Sequence, residues 1–120
     1  MDLRNVINEL NTLIIMYKYE DALERFYDEQ VITHENENPP IIGLAAYKEA
    51  ARKVFFDNVS NYSAELLNTI IVDDCITACQ WHYVFDHKIW GHWDKEQLSV
   101  QKWKEGKIIH ERHYYKTKHQ

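Results

Sequence analysis

The sequence predicts an α+β fold in a single domain, and three observations carry that expectation. Apolar residues in the first half recur at three- and four-residue steps, and from Tyr62 onward they alternate with a period of two. Helices followed by a run of strands segregate into α+β architectures. The chain has 120 residues, 45% apolar and 13% aromatic, enough for one core and hardly two. No repeat, linker or low-complexity stretch divides it, so residues 1–120 are expected to form one domain.

The first predicted helix carries Leu3, Val6, Ile7, Leu10, Leu13, Ile14 and Tyr17 on one face, with Asp2 placed to cap it. A shorter helical segment follows from Glu20 to Asp28, with Leu23, Phe26 and Tyr27 as its apolar face. Gln30 to Glu35 reads as a strand, because β-branched residues follow one another there. Asn36 to Pro40 ends it, since two prolines cannot donate to a ladder. After Gly43 comes a third helix, with Tyr47, Ala51, Val54 and Phe55 on one face, ending near Asn58. Four strands are then predicted over 62–72, 75–86, 92–103 and 107–115. Asp73-Asp74 makes the first turn, residues 87–91 a longer connection, and Lys104-Glu105-Gly106 a hairpin turn with glycine supplying a positive φ.

Composition narrows the functional classes. Three glycines and two prolines exclude a collagen-like chain, and the apolar content excludes a disordered acidic tail. A formal charge of −5 disfavours a phosphate-driven nucleic-acid partner. No apolar run approaches the roughly 20 residues of a membrane span, and no secretory leader is expected at the N-terminus. Cys75 and Cys79 share one predicted strand, where their Cα atoms would stand about 13 Å apart, too far for a bridge. They read as small core residues of a protein expected in the reducing cytoplasm. The seven histidines match no zinc spacing, so no metal is expected, although His82, His87 and His92 straddle one loop.

Two segments carry a resemblance. The first is Tyr27-Asp-Glu with Val31, His34-Glu35-Asn36, Pro39-Pro40 and Gly43. The second is Gln97 to Trp103, Glu105 to Ile108 and Glu111 to Tyr115. Together with the element order, they resemble the SnoaL-like, or nuclear transport factor 2-like, superfamily over almost the whole chain. The resemblance implies a cystatin-like α+β fold: a cone-shaped, curved antiparallel (mixed) sheet wrapped around three N-terminal helices, with a deep pocket. It also implies a homodimer paired through the outer sheet face. That superfamily hosts isomerases, cyclases, dehydratases and non-catalytic binding modules, so fold alone does not select a function.

Strand alternation sorts the faces. Val31, Thr33 and Glu35 share one face of the first strand. Gln97, Ser99, Gln101 and Trp103 share a face later in the chain, as do Ile109, Glu111, His113 and Tyr115 near its end. By resemblance to ketosteroid isomerases, whose base carboxylate ends the first strand, Glu35, Glu111 and His113 are the expected catalytic groups. A carboxylate under an apolar roof is expected to have a raised pKa, which suits a general base. Gln101 or Tyr115 is the expected oxyanion donor. Thr33, Trp81, Gln97, Ser99, Gln101, Trp103 and Tyr115 are the expected ligand contacts, and Trp90 and Trp93 read equally as a rim over the mouth or as aromatics at a dimer contact. Ser99 stands where those isomerases carry a protonated aspartic acid, which argues against ketosteroid isomerisation itself. The resulting expectation is a small, partly apolar ligand with no cofactor, handled by a cofactor-free isomerase, cyclase or hydratase. The alternative is a binding or protein-interaction module in which the polar groups only orient the ligand or satisfy one another.

Overall fold

The computed structural model describes residues 2–117. Helix α1 spans Leu3–Ile15 and is capped by Asp2, whose carboxylate accepts from the Asn5 amide at 3.4 Å. Its buried stripe of Leu3, Ile7, Leu10 and Ile14 is the three- and four-residue pattern of the sequence. Helix α2 spans Tyr19–Phe26, and α3 spans Leu44–Val54, followed by one 3₁₀ turn over Phe56–Asn58.

The strands are β1 Tyr27–Glu35, β2 Ile41–Ile42, β3 Val59–Val72, β4 Ile76–His87, β5 Gly91–Lys104 and β6 Lys107–Tyr115. They form one mixed sheet in the order β2-β1-β6-β5-β4-β3, in which only β1 and β6 run parallel. Along β4 every second residue is buried, so its inner face packs the core and its outer face meets water. Trp81, Ile7, Leu10, Val31 and Ile108 are among the fully buried side chains of that core.

Local chemistry explains the turns. Glu105 and Gly106 both have positive φ (51° and 80°), the requirement of a two-residue type I′ hairpin whose twist matches its strands. Asp73 and Asp74 adopt the same region at 54° and 55°, which short polar side chains tolerate.

The structure corrects the sequence reading in four places. Asp28 is not helical, because β1 begins at Tyr27. Ile41 and Ile42, read as loop, pair with Thr33 and Ile32 as a short edge strand. Cys75 lies in the turn before β4, while Cys79 is the core residue; both are free thiols. Ile109 was expected to face inward with Glu111, yet Ile108 is the completely buried residue. The cause is a bulge: Lys102 pairs with His110 and Trp103 with Ile108, which leaves Ile109 as an extra residue. One extra residue inverts the alternation on one side of it, so the reading holds from His110 onward and fails before it.

Candidate functional site

Sheet register builds the site in rows across the inner face. Thr77, Gln101, Glu111 and Thr33 are consecutive partners on β4, β5, β6 and β1. The next row holds Cys79, Ser99, His113 and Glu35, and the one after it Trp81, Gln97 and Tyr115. Chemically unlike residues far apart in sequence thus become neighbours, because each strand presents alternate side chains to the same face.

A hydrogen-bonded chain runs through the first two rows. Trp103 Nε1 donates to Thr77 Oγ1 at 2.9 Å, and that hydroxyl donates to Gln101 Oε1 at 2.7 Å. Gln101 Nε2 donates to Glu111 Oε2 at 2.8 Å. The Tyr27 hydroxyl donates to the same carboxylate, 2.7 and 2.6 Å from its two oxygens. His113 Nε2 completes the set at 3.0 Å from Glu111 Oε1. On the far side of the ring, His113 Nδ1 lies 2.7 Å from Ser99 Oγ, and the Gln97 amide lies 3.1 Å from the same nitrogen.

These contacts set the charges. Burial pushes the Glu111 carboxyl up, but the His113 charge and hydrogen bonds from His113, Tyr27 and Gln101 outweigh it, leaving the group below its ordinary value. The expectation of a raised pKa therefore fails for Glu111, because the sheet supplies donors that a bare apolar roof would not. Burial pulls the His113 imidazole down, but the Glu111 and Glu35 charges and the Glu111 contact carry it up to about 9. Glu111 and His113 form a buried ion pair, with Glu111 1% exposed.

A cavity of about 350 Å³ lies above this network. Glu35, Glu111, His113, Gln97, Ser99, Gln101, Trp81 and Tyr115 all line it. The acidic end of β1 and the acid and imidazole of β6 therefore look into one hollow. Trp90 and Trp93 line it as well, in tilted contact at 5.4 Å between ring centroids.

Thr33 and Trp103, expected as ligand contacts, do not line it. Thr33 is buried between β2 and β6, one row deeper than Glu35, and its hydroxyl has no hydrogen-bond partner among the described residues. Trp103 lies deeper still, its indole edge-on to Phe26 of α2 at 6.3 Å. Gln101 reaches the cavity wall, its Oε1 accepting from Thr77 and one of its two N–H groups donating to Glu111.

Two further site residues were missed. Tyr27 was read as helix packing, and Tyr47 as the apolar face of α3. Burial and the charges of Glu111 and Glu35 hold the Tyr47 phenol well above its ordinary pKa, and its ring lines the cavity beside Tyr27, with centroids 5.9 Å apart. Burial and the Glu35 carboxylate do the same for Tyr115. The signal available was chemical: both are tyrosines at positions where phenylalanine would serve packing alone.

The histidines around the β4–β5 turn do not converge. His82 and His92 are paired with Asp94 and Asp86 at 2.6 and 2.8 Å, whereas His87 Nε2 lies 2.7 Å from the Val54 carbonyl. Among the described residues no three His, Cys, Asp or Glu side chains are grouped to hold a metal ion. Among them, too, no helix is long and apolar enough to cross a membrane.

A six-stranded mixed sheet with three helices and a polar-floored hollow defines the class: the fold is that of SnoaL-like and nuclear transport factor 2-like proteins. Solved structures bear this out. A SnoaL-like protein of Mesorhizobium loti, provisionally named a polyketide cyclase, superposes with a TM-score of 0.81 at 20% identity, covering 96% of this chain and 100% of its own. A protein of Jannaschia sp., named in the same provisional way, gives 0.76 at 12% identity over 92% of this chain and 85% of its own. An NTF2-like protein of unknown function from Burkholderia xenovorans gives 0.72 at 15% identity, over 93% and 80%. No protein-family model and no curated protein matches the sequence, so the likeness is one of fold.

Proposed function

We propose that the cavity binds a small, partly apolar molecule and that Glu35 acts on it as a general base, in a cofactor-free isomerisation, cyclisation or hydration. One observation carries the reading: Glu35, His113 and Tyr115 meet at the polar end of a hollow that is otherwise largely aromatic. In this scheme Glu35 removes a proton from the ligand, and either Tyr115, whose phenol is hydrogen-bonded to Glu35 before the ligand enters, or the second N–H of Gln101 donates to the oxygen on which charge develops. His113 and Glu111 act as an orienting pair, because both ring nitrogens already have partners. The imidazolium nonetheless keeps a positive charge near the developing negative one, without having to reorganise.

Analysis of small molecules that co-purify with the protein, by native mass spectrometry, tests the binding half. Turnover of that molecule by wild type and Glu35→Gln tests the chemical half, with a loss of about 10²–10⁴-fold expected. Full activity in Glu35→Gln would place the base elsewhere.

A second reading has its own support. Gln97, Ser99, Gln101 and Glu111 are all tied to one another or to His113, as a network built only to shape a pocket would be. In a non-catalytic binding or interaction module, Glu35→Gln changes affinity and abolishes no turnover.

The outer sheet face supports a homodimer. Ile70, Leu98 and Tyr114 are 50%, 39% and 45% exposed there, and an apolar sheet face is covered most simply by a two-fold copy of itself.

A further inference from the structure

The charged groups of the cavity are unbalanced, and the imbalance bears on what it takes in. Two carboxylates, Glu35 and Glu111, face one imidazolium, His113, and no lysine or arginine is among the described residues lining the hollow. Glu111 is spoken for by His113, Tyr27 and Gln101. Glu35 is the remaining acid, in a hollow that Tyr47 and Tyr115 also line. Two carboxylates against one imidazolium leave the lining one negative charge in excess, and a cation brought in by the ligand would balance it.

The walls suit such a cation. Tyr47 and Tyr115 line the hollow with Glu35, and Tyr115 meets Trp93 edge-on with centroids 5.8 Å apart. Aromatic faces attract ammonium groups through the ring quadrupole, more strongly when water is excluded. Trp93 already does so: Lys95 Nζ sits 4.3 Å from its ring centroid. That lysine is not among the residues lining the cavity and donates to the carbonyls of Lys116 and Thr117. The chain's net charge of −5 favours the approach of a cation.

We propose that the ligand class is an organic monocation, an amine with an apolar body, whose ammonium rests between the Glu35 carboxylate and the rings of Tyr47, Tyr115 and Trp93. This rests on the reading that the cavity binds a small molecule, and it adds the charge that molecule carries. An amine of this kind presents its positive end to the base, while its apolar body fills the volume towards Trp81 and Phe85.

Three probes of one size and different charge test this: phenethylamine, 2-phenylethanol and phenylacetate, titrated at pH 7 by quenching of tryptophan fluorescence. The ammonium is expected to bind at least about ten-fold more tightly than the alcohol, with the acid weakest. Glu35→Gln is expected to erase the preference, while a cooperative thermal melt reports an intact fold; a preference retained in this variant overturns the cation's seat at Glu35. Equal binding of ammonium and alcohol, or tighter binding of phenylacetate, overturns the cation while leaving the binding cavity standing. No binding by any probe overturns the cation too. If native mass spectrometry then also finds no co-purified molecule, the small-molecule reading falls with it.

Discussion

Glu111 and His113 stand two residues apart on β6, on the same face, joined by a 3.0 Å ion pair inside the protein. Strand geometry explains the contact, since residues i and i+2 project in the same direction. Its consequence is a site with one fixed positive and one fixed negative charge below the ligand, each held by donors or acceptors from other strands.

That pair makes stability depend on pH in a definable window. His113 has its folded pKa raised, so its contribution is full below about 6.5 and is lost as pH rises through about 9. Glu111 has its folded pKa lowered, so its contribution is present above its ordinary value and is lost as pH falls through the folded one. Thermal unfolding followed from pH 4 to 10 is expected to show a maximum in Tm near pH 5–6.5 and a decline of several degrees between pH 6.5 and 9. His113→Gln is expected to flatten that alkaline limb.

Glu111→Gln removes the charge and keeps the shape. The imidazole then loses its main support, and burial pulls its pKa down from about 9. An NMR titration of the His113 ring checks this directly. Breaking a buried pair by removing one partner also costs about 3–5 kcal/mol, measurable by urea unfolding. An unchanged titration midpoint would show that Glu111 does not set the charge on His113.

Tyr27→Phe leaves the packing in place and takes away the hydroxyl that contacts both Glu111 oxygens. A loss of about 1–3 kcal/mol is expected from the weakened carboxylate shell, and acid unfolding should shift to higher pH. The reason is that Glu111 loses one of the donors that favour its ionised form.

His87 holds the turn at the cavity's aromatic end. Its Nε2 donates to the Val54 carbonyl at 2.7 Å, while its Nδ1 accepts from the Ile89 and Trp90 amides at 3.1 Å each. Its ring also stacks on Trp90 at 3.8 Å. His87→Phe keeps the stack and loses all three bonds. Hydrogen exchange at the Ile89 and Trp90 amides is expected to accelerate by about ten-fold or more, while the β4 core stays protected.

Leu98 and Tyr114 are paired neighbours on the outer face of β5 and β6. Light scattering coupled to gel filtration is expected to give a dimer mass for wild type. Leu98→Asp is expected to give a monomer, because a two-fold places the new charges near one another. A wild-type monomer at high concentration would remove the dimer.

Much of the site could be read from local pattern. Period-two alternation placed Glu111, His113 and Tyr115 on one face and Gln97, Ser99 and Gln101 on another, and the rows of the sheet bring these together. The reading failed where one residue too many entered the ladder, at Ile109, and where a short pair of isoleucines found an edge to join. Neither a bulge nor an edge pairing leaves a periodic trace, because both depend on what the neighbouring strand offers.

Periodicity is a local property, and it was enough to assign the helices, the long strands and the sorting of their faces, while the resemblance supplied which face looks inward. Ionisation is not local. The Glu111 carboxylate is held ionised partly by a tyrosine 84 positions away, and its imidazole partner is clasped by a serine on the adjoining strand. Which groups carry charge, which amide is already occupied, and which acid is left facing the hollow were decided only when distant strands came within hydrogen-bonding distance, since electrostatic free energy in a dry interior depends on the nearest few ångströms and not on position in the chain.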